Sequence, residues 1–207
     1  MKFVDTPPEK EFLPIFDPKS GLITNIALRT RAHAEWLSHG HINVWIPGQK
    51  PGTVFVQIKA KSHGKRDATI GGHIDCPPDT LWELHGRHIS ELAPRTAVKE
   101  WREETGLIYT EADIIPIGDF TEVYDQPNPE WKLYNNGAVF AYVLNRRMAL
   151  DDILRNTERE SGLDFEPVDI EKLLVLSKDD NEKYLRKLLG EPYKKILLEL
   201  REKMKQI

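Results

Sequence analysis

The chain has 207 residues, of which 40% are hydrophobic and 30% charged, and a formal net charge of −4. That balance describes a folded domain long enough to bury a sizeable core, not a disordered chain. The net negative charge gives duplex nucleic acid no electrostatic hold on it.

Met1-Lys2-Phe3-Val4-Asp5-Thr6-Pro7-Pro8 is too polar for a secretory signal, and no apolar run approaches the roughly 20 residues of a membrane span. The single cysteine, Cys76, excludes an intrachain disulfide and suits a reducing compartment. A cytoplasmic protein without a membrane partner is therefore expected. One domain is expected over 1–207: an extension carrying the first strands over about 1–35, a core over about 36–175, and C-terminal helices over about 180–207.

Residues 42–46, Ile-Asn-Val-Trp-Ile, read as a strand. Pro47-Gly48 and Pro51-Gly52 bracket a turn, and residues 53–59 follow as a second strand with Val54, Val56 and Ile58 on one face. The two are expected to form a hairpin. A basic stretch, 59–66, then leads through Ala68-Thr69-Ile70 to Gly71-Gly72-His73. Residues 75–88 contain Pro77, Pro78 and Gly86 and are expected to be irregular.

A helix should begin near 92–94, because proline suits a first helical turn, and end at Thr105 before Gly106. Two strands are expected next, 114–124 and 137–144, the second short, apolar and central, with a loop rich in Pro and Asn between them. The tail reads as helical from Pro192, with Ile196, Leu197, Leu200 and Met204 at helical spacing. Tyr184, Leu185, Leu188 and Leu189 repeat that pattern just before it. Both stretches are expected to pack on a sheet. Strands alternating with helices indicate a layered α/β domain.

The most informative segment lies in the middle helix: Ala97-Val98-Lys99-Glu100-Trp101-Arg102-Glu103-Glu104-Thr105-Gly106-Leu107. Glu100, Glu103 and Glu104 are three and four apart and share a helical face, whereas Ala97 and Trp101 lie on another and can pack inward. Like charges at that spacing repel. A hard divalent cation would turn this cost into a gain, since Mg²⁺ and Mn²⁺ prefer carboxylate oxygen. The competing interpretation is a solvated acidic face.

The segment from Lys99 to Leu107 resembles the second half of the Nudix box, the signature of hydrolases acting on a diphosphate joined to another moiety. Lys99 stands where that box has arginine, Glu100 at its first glutamate, Trp101 at its apolar position, Glu103-Glu104 at its glutamate pair and Gly106-Leu107 at its end. Glu91, eight residues before Lys99, falls at an earlier glutamate of the box. Two departures stand out. Lysine lacks the planar two-pronged contact of arginine. The box glycine falls on His85, so Gly72 is the better candidate, which implies an insertion of about 13 residues before the helix, a cheap place to lengthen a loop.

The resemblance implies a Nudix-type α/β/α sandwich with a mixed sheet and a C-terminal helical segment. It implies an enzyme that hydrolyses a phosphoanhydride bond in a diphosphate, of a nucleoside or not, linked to another moiety, with Mg²⁺ or Mn²⁺ as cofactor. Glu100, Glu103 and Glu104 would hold the metal together with the Gly72 carbonyl. Glu100 and Glu103 are the candidate catalytic residues, with Glu103 orienting or deprotonating the water. Glu122, Asp125 and Glu130 are candidates for a further acidic ligand. For substrate binding the candidates are Lys61, Lys65 and Arg66, as phosphate-holding cations, and Trp82, as a stacking or covering ring. Trp131 could act like Trp82. Each of these side chains has an ordinary alternative in solvation or packing.

Residues from about 29 to 107 also resemble the Nudix subgroup related to isopentenyl-diphosphate isomerase, through Arg29-Thr30-Arg31-Ala32-His33, His41 and Gly71-Gly72-His73. In those isomerases histidines at places resembling His33, His41 and His73 bind a metal. Allylic isomerisation needs an acid and a base on opposite sides of the substrate. This chain has Gly71 where the family has its cysteine, and Asn135-Asn136 where the family has its glutamate. Three readings stay open: a pyrophosphohydrolase, a nucleotide-binding or sensor module without turnover, and, least supported, a prenyl-diphosphate isomerase. The partner expected is a small-molecule diphosphate, with a homodimer as a further expectation from the family.

Overall fold

The computed structural model describes residues 10–59, 63–124, 135–154, 163–184 and 190–207. Strands β1 (Phe12–Phe16) and β2 (Ile23–Leu28) form an antiparallel hairpin and lead into the short helix α1 (Arg29–Ala34). Strands β3 (His39–Trp45), β4 (Thr53–Lys59), β5 (Lys65–Asp67) and β6 (Ile70–His73) follow. Helix α2 (Leu81–Leu84) and a 3₁₀ turn over Ile89–Leu92 precede the long helix α3 (Ala93–Thr105). The rest is β7 (Ile114–Tyr124), β8 (Asn135–Leu144), α4 (Leu150–Leu154), β9 (Leu163–Asp169), α5 (Ile170–Leu174) and α6 (Glu191–Met204).

The larger sheet is mixed, in the order β2-β1-β3-β8-β7, with β6 also paired to β3. β3 runs parallel to β8, His39 opposite Gly137 through Trp45 opposite Val143, and antiparallel to β6. Alternation along β3 assigns its faces. Ile42 and Val44 pack with Ala93, Ala97 and Trp101 of α3, while Trp45 packs with Ile196, Leu197 and Leu200 of α6. β8 does the same, Tyr142 and Leu144 on the α3 side and Ala141 and Val143 on the α6 side. Two strands buried on both faces, with a helix over each face, make a three-layer α/β/α sandwich.

Helix α3 has the limits its sequence suggests. Pro94 sits in its first turn, and Gly106 closes it in the left-handed region at φ 70. Ala97 and Trp101 are buried as expected, at 0% and 1% exposure. Tail helix α6 begins beside Pro192 and buries Ile196, Leu197, Leu200 and Met204. Tyr184 is buried in the same cluster; Leu185, Leu188 and Leu189 lie outside the described residues.

Two local expectations are corrected. The strands flanking Pro47-Gly48 are not a hairpin within one sheet. They touch at the turn, where the Phe55 N–H donates to the Ile46 carbonyl at 2.9 Å, and then diverge. β4 instead forms the middle of a second antiparallel sheet, β5-β4-β9. Residues 75–88 are not irregular throughout. They contain α2, and backbone hydrogen bonds tie this region to the first hairpin. Cys76 N–H donates to Phe12 O, Ile23 N–H to Arg87 O, Gly86 N–H to Ile23 O and Ile89 N–H to Gly21 O, each at 2.9 Å. Gly21, at φ 71, is required there, because a Cβ would lie 2.1 Å from the His88 ring.

Candidate functional site

The site is built where β6 meets α3. Gly72 gives β6 a surface with no side chain, and the Glu100 carboxyl fills the space: a Cβ on Gly72 would lie 2.3 Å from Glu100 Cδ. Burial pushes the Glu100 carboxyl up to about 8; Glu103, Asp75 and Glu11 add to the rise, while Lys99 opposes it. Glu103, one turn away, is 31% exposed.

Glu104 shares the helix but not the environment. It is 8% exposed and accepts a hydrogen bond from Gln57 Nε2 of β4 at 2.7 Å. The three glutamates read together in the sequence are thus divided. Glu100 and Glu103 stand at the strand–helix junction, and Glu104 ties α3 to the second sheet.

Lys99 lies inside the acidic group. Its Nζ is 2.7 Å from Asp75 Oδ2, 3.7 Å from Glu100 Oε1 and 3.8 Å from Glu103 Oε2. Burial acts to lower the Lys99 pKa, but the Asp75 hydrogen bond and the three carboxylates outweigh it and raise it to about 12. Asp75 is a partner that sequence spacing did not indicate. Glu91, placed in the motif by spacing, is half exposed, pairs with Arg87 at 2.8 Å and accepts from the His88 N–H at 3.1 Å.

The donor set suits a hard divalent ion. Glu100 and Glu103 supply carboxylate oxygen, and Gly72 leaves the room that lets Glu100 approach the strand.

A second polar cluster is made of imidazoles. His33 of α1, His39 of β3 and His73 of β6 bring one ring nitrogen each within 4.8 Å of one another. His33 Nε2 and His73 Nε2 are 3.1 Å apart. His39 Nδ1 is held by the Leu37 carbonyl at 2.7 Å, and its buried Nε2 has no hydrogen-bond partner. Burial lowers the His39 pKa to about 4 and that of His73 well below its usual value. Both rings are neutral near pH 7, the form that can ligate a transition metal. His41, named by family resemblance, lies with its ring centroid 4.4 Å from that of His73 and tilted by 47°, but the grouped nitrogens come from His39 in its place.

The remaining candidates sit elsewhere. Arg66 of β5 makes a two-pronged ion pair with Glu166 of β9, the Nη2–Oε2 contact being 2.8 Å. Lys65 lies on the same short strand, opposite Lys59. Trp82 stands on α2 with 80% of its surface exposed. Burial raises the Cys76 thiol to about 11, consistent with an unreactive group. Lys61, Asp125, Glu130 and Trp131, and the side chain of Glu122, lie outside the described residues.

No protein-family model matches this sequence, and no curated protein does. Solved structures do match. The E. coli dihydroneopterin triphosphate pyrophosphohydrolase is 13% identical with a TM-score of 0.46, over 79% of this chain and 95% of that one. A C. elegans Ap4A hydrolase, solved as a binary complex, is 10% identical with a TM-score of 0.43, over 81% and 98% of the two chains. A NUDIX-family hydrolase from Clostridium perfringens is 14% identical with a TM-score of 0.41, over 78% and 96%.

Proposed function

We propose that this chain is a divalent-metal-dependent hydrolase of the Nudix type, cleaving a phosphoanhydride bond in a diphosphate joined to another moiety. The observation that carries the reading is the Glu100 carboxyl seated against Gly72, with Glu103 one turn along the same helix. Glu100 and Glu103 would hold Mg²⁺ or Mn²⁺, joined by the Gly72 carbonyl and by Glu104. The ion's contribution would be to neutralise phosphate oxygens and to acidify a bound water. The protein's own part is positional. α3 fixes the spacing of the carboxylates, Trp101 and Ala97 anchor that helix to the sheet, and Gln57 fixes Glu104. Glu103, the more exposed of the pair, is the better placed to orient water.

Among substrates, a nucleotide derivative is the proposed class, with Lys65 and Trp82 as candidate contacts, the Arg66 guanidinium being already held by Glu166. The test is a panel of nucleoside triphosphates, nucleotide sugars, dinucleotides and non-nucleotide diphosphates, assayed for phosphate release with and without Mn²⁺. Release of a monophosphate that depends on metal supports the reading. Absence of turnover with every compound and metal overturns it.

A second reading, a nucleotide-binding module without turnover, is favoured by the Lys99 ammonium lying among the carboxylates that would hold the metal. Tight nucleotide binding with no product under any metal would establish it. Deuterium exchange into isopentenyl diphosphate is expected to be nil, because Gly71 supplies no acid or base.

A further inference from the structure

We infer that Asp75 is a positioning residue that holds the Lys99 ammonium away from Glu100 and Glu103 and so sets how tightly those carboxylates take a divalent ion. The inference rests on the proposed metal-binding role of Glu100 and Glu103.

Lys99 lies four residues before Glu103, so the two side chains rise on the same side of α3, and the Lys99 Nζ also comes within 3.7 Å of Glu100. A lysine ammonium carries three donors on a flexible stem and goes to the best acceptor within reach. Here that acceptor is Asp75. The 2.7 Å contact is a charge-assisted hydrogen bond, whereas 3.7 and 3.8 Å to the glutamates are beyond hydrogen-bond range.

Asp75 is itself fixed. It follows Ile74, whose side chain is 0% exposed and whose N–H donates to the Gly40 carbonyl at 2.9 Å. The next residue, Cys76, donates to the Phe12 carbonyl at 2.9 Å. The backbone is thus anchored on both sides of Asp75. Removing its charge leaves the ammonium two acceptors within a short swing, Glu100 and Glu103. A lysine paired with those oxygens competes with a dication for the same lone pairs.

Three roles give different results in a double-mutant cycle read as Mn²⁺ affinity, from the spin-resonance signal of unbound Mn²⁺. If Asp75 acts through Lys99, Asp75→Asn weakens Mn²⁺ binding about tenfold, a coupling usual for contacting, partly exposed charges. Lys99→Met then binds Mn²⁺ at least as tightly as the unaltered protein, and adding Asp75→Asn to Lys99→Met changes nothing further. Asp75→Glu keeps most of the affinity, since it keeps the carboxylate.

An equal loss from Asp75→Asn in both backgrounds would make Asp75 a ligand and overturn the inference. No loss from Asp75→Asn, or weaker binding by Lys99→Met, would overturn it too, leaving the pair as a tether between strand and helix. Thermal unfolding of each variant separates a folding defect from a change in affinity. If the unaltered protein binds no Mn²⁺, the metal reading itself fails. If it binds Mn²⁺ but the cycle is additive, only the role of Asp75 fails.

Discussion

Two neighbouring residues of β6, Gly72 and His73, lead to two polar clusters of opposite design. Gly72 faces the Glu100 carboxyl of α3, while His73 joins His33, His39 and His41. Successive residues of a strand face opposite sides of the sheet, so one short strand serves both. On the helix side, a largely buried Glu100 and the partly exposed Asp75 and Glu103 surround a cation, Lys99. On the other side, His39 and His73 are held below their ordinary pKa by burial. Burial of a charge is tolerated only with a partner, and burial of a titratable base only in its neutral form. The carboxylate cluster is the one that the proposed metal-dependent reading makes use of.

Activity gives the largest test of that contrast. Glu103→Gln keeps the shape of the side chain but removes its charge, and turnover should fall on the order of 10³-fold, the size of a lost acid–base or positioning group. His33→Asn should cause a smaller loss under the same metal and substrate. Steady-state kinetics of the two variants checks the ranking, and the reverse order would move the chemistry to the imidazoles.

The metal-free protein should show the contrast again in its stability, with opposite signs. The folded-state pKa of His39 lies near 4, against an ordinary value of 6.5, so its contribution is full above pH 6.5 and is lost as pH falls toward 4. That loss reaches about 3 kcal/mol by pH 4, and His73 adds in the same direction. Glu100 runs the other way. Its pKa is raised from 4.5 to about 8, so the folded state keeps a proton the unfolded chain has released, and stability falls as pH rises from 4.5 to 8.

Below pH 6.5 two imidazoles oppose one carboxyl and prevail. Between 6.5 and 8 Glu100 acts without them, at roughly 1.4 kcal/mol per pH unit. Denaturant unfolding in EDTA should therefore show maximum stability near pH 6.5. Glu100→Gln should remove the decline above it, and so should Mn²⁺, which replaces the proton. A decline that survives in Glu100→Gln would mean that this carboxyl is not its source.

How much of this was legible depended on sequence separation. Glu100, Glu103, Ala97 and Trp101 could be placed from helical spacing alone, because their relations span four residues or fewer. The tail helix was legible for the same reason. Partnerships between distant segments were not. His33 meets His73 across 40 positions, Gln57 meets Glu104 across 47, and Asn43 donates to Tyr193 across 150. The alternation in β4 correctly marked a strand but could not say which sheet it joins. β9 carries Pro167, which argues against a strand by itself. The position is tolerated because β9 is an edge, paired only to β4 among the described residues.

A smaller test targets the contact that joins β6 to the carboxylates. Gly72→Ala would place a methyl 2.3–2.4 Å from the Glu100 carboxyl. Glu100 must then turn away, at a cost of about 1–3 kcal/mol if the site cannot relax. Mn²⁺ affinity should fall with stability. In Glu100→Ala the same substitution should cost little stability, since the clash is gone. Equal costs in both backgrounds would mean that Gly72 is required by its backbone and not by Glu100.

The smallest effect is expected at Glu91, and it separates spacing from geometry. Motif spacing places this residue with the acidic group. The structure puts it in solvent, paired with Arg87 one turn away and capping the His88 N–H. An exposed pair at that spacing contributes little and is screened by salt. Glu91→Gln should leave Mn²⁺ affinity and turnover unchanged within error, and should shift the thermal midpoint only slightly, less so in high salt. Asp75→Asn, by contrast, should alter Mn²⁺ affinity. A loss of Mn²⁺ binding in Glu91→Gln comparable to that in Asp75→Asn would show that the ion reaches beyond the strand–helix junction, and that the division between a paired cluster and a solvated turn is drawn in the wrong place.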